Sequence, residues 1–145
     1  MKKIMIIGST SCGKTTFCQA LNKLPMDYKK TQTVEVYYNT IDTPGEYLDN
    51  RNLYRALLVT SVEAEVIILM QDCTDERCMF APSFSTMFNN KPVYGIVSKI
   101  DLSKDKNQIE LAKEKLLLAG AEKVFEISSA KGKGIETVRN YLISQ

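Results

Sequence analysis

The stretch Gly8-Ser9-Thr10-Ser11-Cys12-Gly13-Lys14-Thr15 matches G-x-x-x-x-G-K-[ST] and lies between an apolar run and an amphipathic one. Successive backbone N–H groups of such a loop can ring a β-phosphate, and Lys14 brings a point charge to the β- and γ-oxygens. Thr15 offers its hydroxyl to Mg²⁺, and the Thr16 amide falls near the α-phosphate. Gly13 lets backbone come close to phosphate, where a Cβ would collide. The chemistry is that of a nucleotide-phosphate site.

Three further groups follow in order. Asp42-Thr43-Pro44-Gly45 puts a carboxylate where it can hold the Mg²⁺ shell through water, and Gly45 can donate its amide to a γ-phosphate. Ser98-Lys99-Ile100-Asp101 puts a carboxylate where it can accept from both N1–H and the N2 amine of guanine, a pair adenine lacks, while the Lys99 stem can cover the ring. Ser128-Ser129-Ala130-Lys131 supplies backbone N–H groups for the guanine O6. Alone, the first group is also an ordinary turn and the second a solvated Lys/Asp pair. Their order, each at the end of an apolar run, favours a base site.

The elements that must position these residues can be read from periodicity. Lys3 to Ile7, Glu65 to Gln71, Pro92 to Ser98 and Lys123 to Ile127 read as buried strands, and Val34 to Tyr38 and Asn39 to Asp42 as short ones. Helical sequence covers Lys14 to Lys23, Asn52 to Ser61, Lys106 to Ala119 with Gly120 as its cap, and a last segment bearing Ile135, Val138 and Leu142. Phe80, Phe84 and Phe88 at i, i+4, i+8 read as the core-facing stripe of a further helix rather than as a docking groove. Apolar strands separated by helices predict a mostly parallel sheet covered on both faces, a three-layer α/β sandwich with the motifs gathered at the strand C-termini. No linker or repeat interrupts residues 1–145, which read as one domain.

Composition narrows the function. Nineteen Lys+Arg against seventeen Asp+Glu give a net charge of +2, which argues against nucleic acid as the main partner. Val66 to Met70 is far short of the ~20 residues that span a bilayer, and Met1-Lys2-Lys3 leads into no export signal. Without a histidine, Ser-His and Cys-His catalysis are excluded. Cys12, Cys18, Cys73 and Cys78 form no C-x-x-C pair and read as reduced thiols of a cytosolic protein. Cys12 has two readings: a redox-sensitive thiol at a helix N-terminus, or a small residue that fits the loop. Cys73 and Cys78 flank an acidic stretch that reads as surface loop.

With these motifs the chain resembles the small Ras-like P-loop GTPases of the translation-factor-related class. More closely, it resembles the ethanolamine- and propanediol-utilisation P-loop family (EutP/PduV-like). The marks are Gly8 to Thr16, Lys30-Thr31-Gln32 before a very short strand pair, Asp42-Thr-Pro-Gly-Glu-Tyr47, and Ser98 where GTPases carry Asn. The resemblance extends over the whole chain and implies a P-loop fold with a truncated switch I and strand 2 region. It also implies a small cytosolic nucleotide-binding protein of bacterial microcompartment operons. Ethanolamine-type members are described as ATP-using acetate kinases, and propanediol-type members are linked to positioning the compartment. By this resemblance Thr31 rather than Thr33 is the switch threonine that reaches Mg²⁺, and it joins Lys14 and Glu46 as a candidate catalytic residue.

Two departures bear on function. Loss of the Asn amide at Ser98 removes a bond to the base and a tie to the phosphate loop, each worth ~0.5–1.5 kcal/mol net, so the guanine preference weakens without reversing. GTP/GDP with Mg²⁺ is the favoured ligand set and ATP/ADP the alternative. Glu46 stands where Ras-like enzymes place a water-orienting Gln. Its carboxylate either orients or deprotonates a nucleophile, or is repelled by the γ-phosphate and leaves hydrolysis slow. Arg51 and Arg55 are either solvent-facing charges or the cations for an arginine finger or an acetate acceptor. The expected function is a slow Mg²⁺-dependent GTPase switch. Alternatives are an acetate kinase and a module that docks on a microcompartment shell protein through its switch face or its edge strand, the strand with Tyr37 and Tyr38 reading either as an edge open to a partner or as a covered or twisted one.

Overall fold

The computed structural model describes residues 3–22, 35–37, 40–77 and 79–143. Its centre is β1 (Ile4–Gly8), buried along its whole length. Beside it run β4 (Val66–Asp72) and β5 (Val93–Ser98), also buried throughout. Continuous burial explains why these strands are apolar at every position rather than at alternate ones. The sheet is completed by β2 (Glu35–Tyr37), β3 (Thr40–Asp42) and β6 (Val124–Glu126), in the order β2-β3-β1-β4-β5-β6. All neighbours are parallel except β2, which pairs antiparallel with β3 through Val36 opposite Ile41.

Alternation within the strands sorts side chains to two cores. Ile4, Ile6, Ile68 and Ile96 pack with α1 (Lys14–Leu21) and α5 (Ile135–Ile143) through Phe17, Leu21, Val138 and Leu142. Met5, Ile7, Leu69 and Val97 pack on the other face with α3 (Tyr54–Ser61) and α4 (Lys106–Leu118) through Leu57, Ala112 and Leu116. The expected three layers and truncated second strand are thus present. Asp105 caps α4 by accepting from the Gln108 amide, and the α4 C-terminus closes with Gly120 N–H to Leu117 O and Ala121 N–H to Leu116 O.

Two expectations need correction. The Asn52 to Ser61 helix is divided into a 3-10 turn (Arg51–Leu53) and α3, preceded by the short α2 (Glu46–Asp49). Phe80, Phe84 and Phe88 are buried as expected, but among the described residues no α-helix joins β4 to β5. Phe84–Phe88 is a 3-10 helix, and Phe80 precedes it in a loop. The rings form an edge-to-face column, with Phe80–Phe84 centroids 5.3 Å apart and Phe84–Phe88 5.7 Å apart. Ring packing rather than helical periodicity sets their spacing. No helix among the described residues is long and apolar enough to cross a membrane.

Candidate functional site

Parallel pairing brings the C-terminal ends of the strands to one edge: Gly8 opposite Met70, Ile6 opposite Asp42, and Asp72 opposite Ser98. The phosphate loop leaves β1 there and enters α1 through two left-handed residues, Ser11 at φ 67° and Gly13 at φ 101°. Gly13 is required by that φ; the protein atom nearest to where its Cβ would sit is Lys99 Cε, at 4.0 Å. The Lys14 ammonium lies inside the turn of the loop, 6% exposed, donating to the Ser9 carbonyl at 3.0 Å. Thr15 Oγ1 donates to Asp42 Oδ2 at 2.6 Å, joining the start of α1 to the end of β3. Ser9, Thr10 and Cys12 lie in the loop between β1 and α1, and Thr16 lies in the first turn of α1.

Cys12 is buried, and burial pushes its thiol up against the pull of Lys14. Burial and a thiol held protonated both favour the reading of a small residue that fits the loop over that of a redox-sensitive thiol. Cys73 is buried at the head of the acidic stretch, in which Thr74, Glu76 and Arg77 are exposed as a surface loop requires; its thiol donates to the Lys99 carbonyl, and burial pushes it up to about 11. Cys78, Lys30, Thr31, Gln32, Thr33 and Tyr38 lie outside the described residues.

Gly45 packs against the phosphate loop so closely that a Cβ would stand 2.3 Å from the Thr10 nitrogen. Only glycine permits this approach between the end of β3 and the loop. Glu46 begins α2 beside it and is exposed, as are Arg51 and Arg55.

On the other side of the loop, Ser98 departs from expectation. Its hydroxyl donates to the Cys12 carbonyl at 2.7 Å, so the tie expected to be lost with the Asn amide is supplied by the serine. Lys99, itself left-handed at φ 59°, carries its ammonium to the Ser11 carbonyl at 2.6 Å and to Asp72 Oδ2 at 3.0 Å. Asp101 Oδ1 accepts from the Ser128 hydroxyl at 2.7 Å, and that oxygen accepts in turn from the Lys131 amide at 3.2 Å. Asp101 and the Ser129-Ala130-Lys131 turn are therefore joined through Ser128. A cavity of about 540 Å³ opens on Asp101, Ser128 and Lys131 and continues to Lys106, Ile109 and Glu110 of α4.

Sequence reading missed Asp72, signalled only by its place at the end of an apolar run. It named Ser128 within the turn but not the bond of its hydroxyl to Asp101. Both act through partners remote in sequence.

The arrangement holds a basic loop, a hydroxyl–carboxylate pair and a second carboxylate along one edge, as a nucleotide's phosphates, metal and base would need. Known proteins share the fold. The crystal structure of Era in complex with MgGDPNP and nucleotides 1506–1542 of 16S ribosomal RNA aligns with a TM-score of 0.71 at 19% identity, covering 99% of this chain and 56% of that one. The propanediol utilization protein PduV of Citrobacter freundii is 41% identical over 142 residues, 98% of this chain and 93% of that protein. The probable acetate kinase EutP of Escherichia coli K12 is 30% identical over 146 residues, 99% of this chain and 91% of that protein. The ethanolamine utilisation – propanediol utilisation family model matches residues 1–144, and the chain belongs to that family, PduV-EutP.

Proposed function

We propose that the chain binds a nucleoside triphosphate with Mg²⁺, guanine preferred, and hydrolyses it slowly as a switch or accessory protein of ethanolamine or propanediol utilisation microcompartments. The observation that carries this reading is the enclosure of the Lys14 ammonium by the phosphate loop on the same strand edge as the Asp101–Ser128 pair. Lys14 with the loop amides binds the phosphates, Asp101 reads the guanine edge, and the Ser129-Ala130-Lys131 turn meets O6.

Thr15 and Asp42 fit Mg²⁺. Both offer oxygen, they lie side by side, and among the described residues no larger cluster of metal-ligating side chains competes with them. Such a sparse set suits a cation that keeps its waters and completes its shell from phosphate oxygens; Thr31 is the further candidate ligand. When bound, the metal neutralises charge on the β- and γ-phosphates. In this reading Gly45 donates its amide to the γ-phosphate and Glu46 orients the nucleophile.

A second reading, transfer of the γ-phosphate to acetate, is supported by the 30% identity to a probable acetate kinase. Arg51 and Arg55 are then the cations for the acceptor carboxylate. Calorimetry with Mg²⁺ and GDP, a GTP analogue, ADP and an ATP analogue tests the first reading. Tight guanine and weak adenine binding supports it; equal or better adenine binding turns the reading to the kinase, tested by acetyl phosphate formation.

A further inference from the structure

Lys99 is held from two sides. Its ammonium meets the Ser11 carbonyl and Asp72 Oδ2, and its stem passes over Gly13. Asp72 in turn is fixed. It is only 8% exposed, and its Oδ1 accepts from both the amide and the hydroxyl of Thr74, at 2.8 and 2.7 Å. A carboxylate whose first oxygen is committed to a turn and whose second faces an ammonium has one orientation available. A long lysine side chain otherwise retains much rotamer freedom. The left-handed backbone at Lys99 and the Cys73 thiol on its carbonyl fix the base of that side chain; Asp72 fixes its tip.

We infer that Asp72 is a positioning residue for nucleotide binding, pinning Lys99 across the phosphate loop so that its stem is already in place to cover the purine ring. The inference rests on the nucleotide reading above and deepens it. Asp72 touches no ligand. It acts by removing the freedom that Lys99 would otherwise lose on binding. Because the stem covers a ring face and reads no base edge, the contribution is the same for guanine and adenine.

The test is calorimetric titration of GDP and ADP with Mg²⁺ into wild-type chain, Asp72→Asn, Lys99→Met and the double variant. Asparagine keeps the Oδ1 acceptor for Thr74 and removes the charge facing Lys99. Asp72→Asn is expected to weaken GDP about 5- to 10-fold with the GDP/ADP ratio unchanged, and to have no further effect in the Lys99→Met background. A merely structural carboxylate would weaken binding equally in both backgrounds. Thr74→Val, which loosens Asp72 without touching its charge, gives a smaller loss that also vanishes with Lys99→Met, and it carries the test if Asp72→Asn does not fold. Wild-type binding with Asp72→Asn and Thr74→Val unaltered, or losses that persist in Lys99→Met, overturns the inference alone. A wild-type chain that binds neither nucleotide overturns the nucleotide reading and the inference with it.

Discussion

The Ser98 hydroxyl and the Cys12 carbonyl, 86 positions apart in sequence, are joined at 2.7 Å, so the end of β5 holds the phosphate loop through a side chain one bond shorter than the asparagine of ordinary GTPases. The bond is buried, and truncating the donor leaves a buried carbonyl short of its partner. Ser98→Ala is therefore expected to weaken guanine and adenine nucleotides alike, by about 2- to 10-fold, because the tie is to the loop. Ser98→Asn adds a base contact and should raise guanine over adenine. Calorimetry on both variants checks this; a loss confined to guanine in Ser98→Ala would contradict it.

Lys14→Ala removes the one ammonium inside the loop. Hydrogen bonds to charged groups are worth ~1.5–3 kcal/mol, so affinity for any nucleoside triphosphate should fall about 10- to 100-fold. Competition against a fluorescent nucleotide measures it.

Asp101→Asn replaces an acceptor pair by an acceptor and a donor, and preference should move from guanine towards xanthine nucleotides. Ser128→Ala frees Asp101 from its partner at 2.7 Å and should weaken guanine selectivity by a smaller amount, ~0.5–1.5 kcal/mol. If selectivity is untouched by both, Asp101 is not the base reader.

Gly45→Ala must move the end of β3 away from Thr10, since the added Cβ would stand 2.3 Å from its nitrogen. Overpacking of this kind costs ~1–3 kcal/mol, seen as a lower melting temperature, and hydrolysis should slow because the shift displaces Gly45, the proposed donor to the γ-phosphate.

The buried thiols give alkaline sensitivity. Burial raises Cys73 from 9.0 to about 11, and Cys12 and Cys18 also lie above their ordinary value. Above about pH 9 the unfolded chain sheds thiol protons that the folded chain keeps, so stability is full below that pH and falls as pH rises towards 11. Urea midpoints across this range should decline, and Cys73→Ser should flatten the decline. Tyr94, raised to about 12 by burial, extends the fall further.

Legibility followed locality. The phosphate loop, the Asp42 strand end and the Gly120 cap each carry their signal within a few residues, and the chain builds them where that signal stands. Continuous apolar runs marked β1, β4 and β5 because both faces of those strands are covered. The phenylalanine spacing misled because three rings four apart suit an aromatic column as well as a helix stripe. Asp72 gave almost no sign, since its meaning depends on Lys99, which only the pairing of β4 with β5 brings near. Ser98 read as a loss because a sequence cannot show which carbonyl its hydroxyl will meet.

The crossover from β4 to β5 has one more property. Its Ser83 and Ser85 amides donate to Leu118 and Ala119 at the end of α4, both at 2.8 Å. Those bonds can form only once α4 has been made, so the segment carrying the aromatic column is held in place by a partner that comes later in the chain. A truncated chain that ends before Leu118 lacks both acceptors and should expose the phenylalanines to solvent.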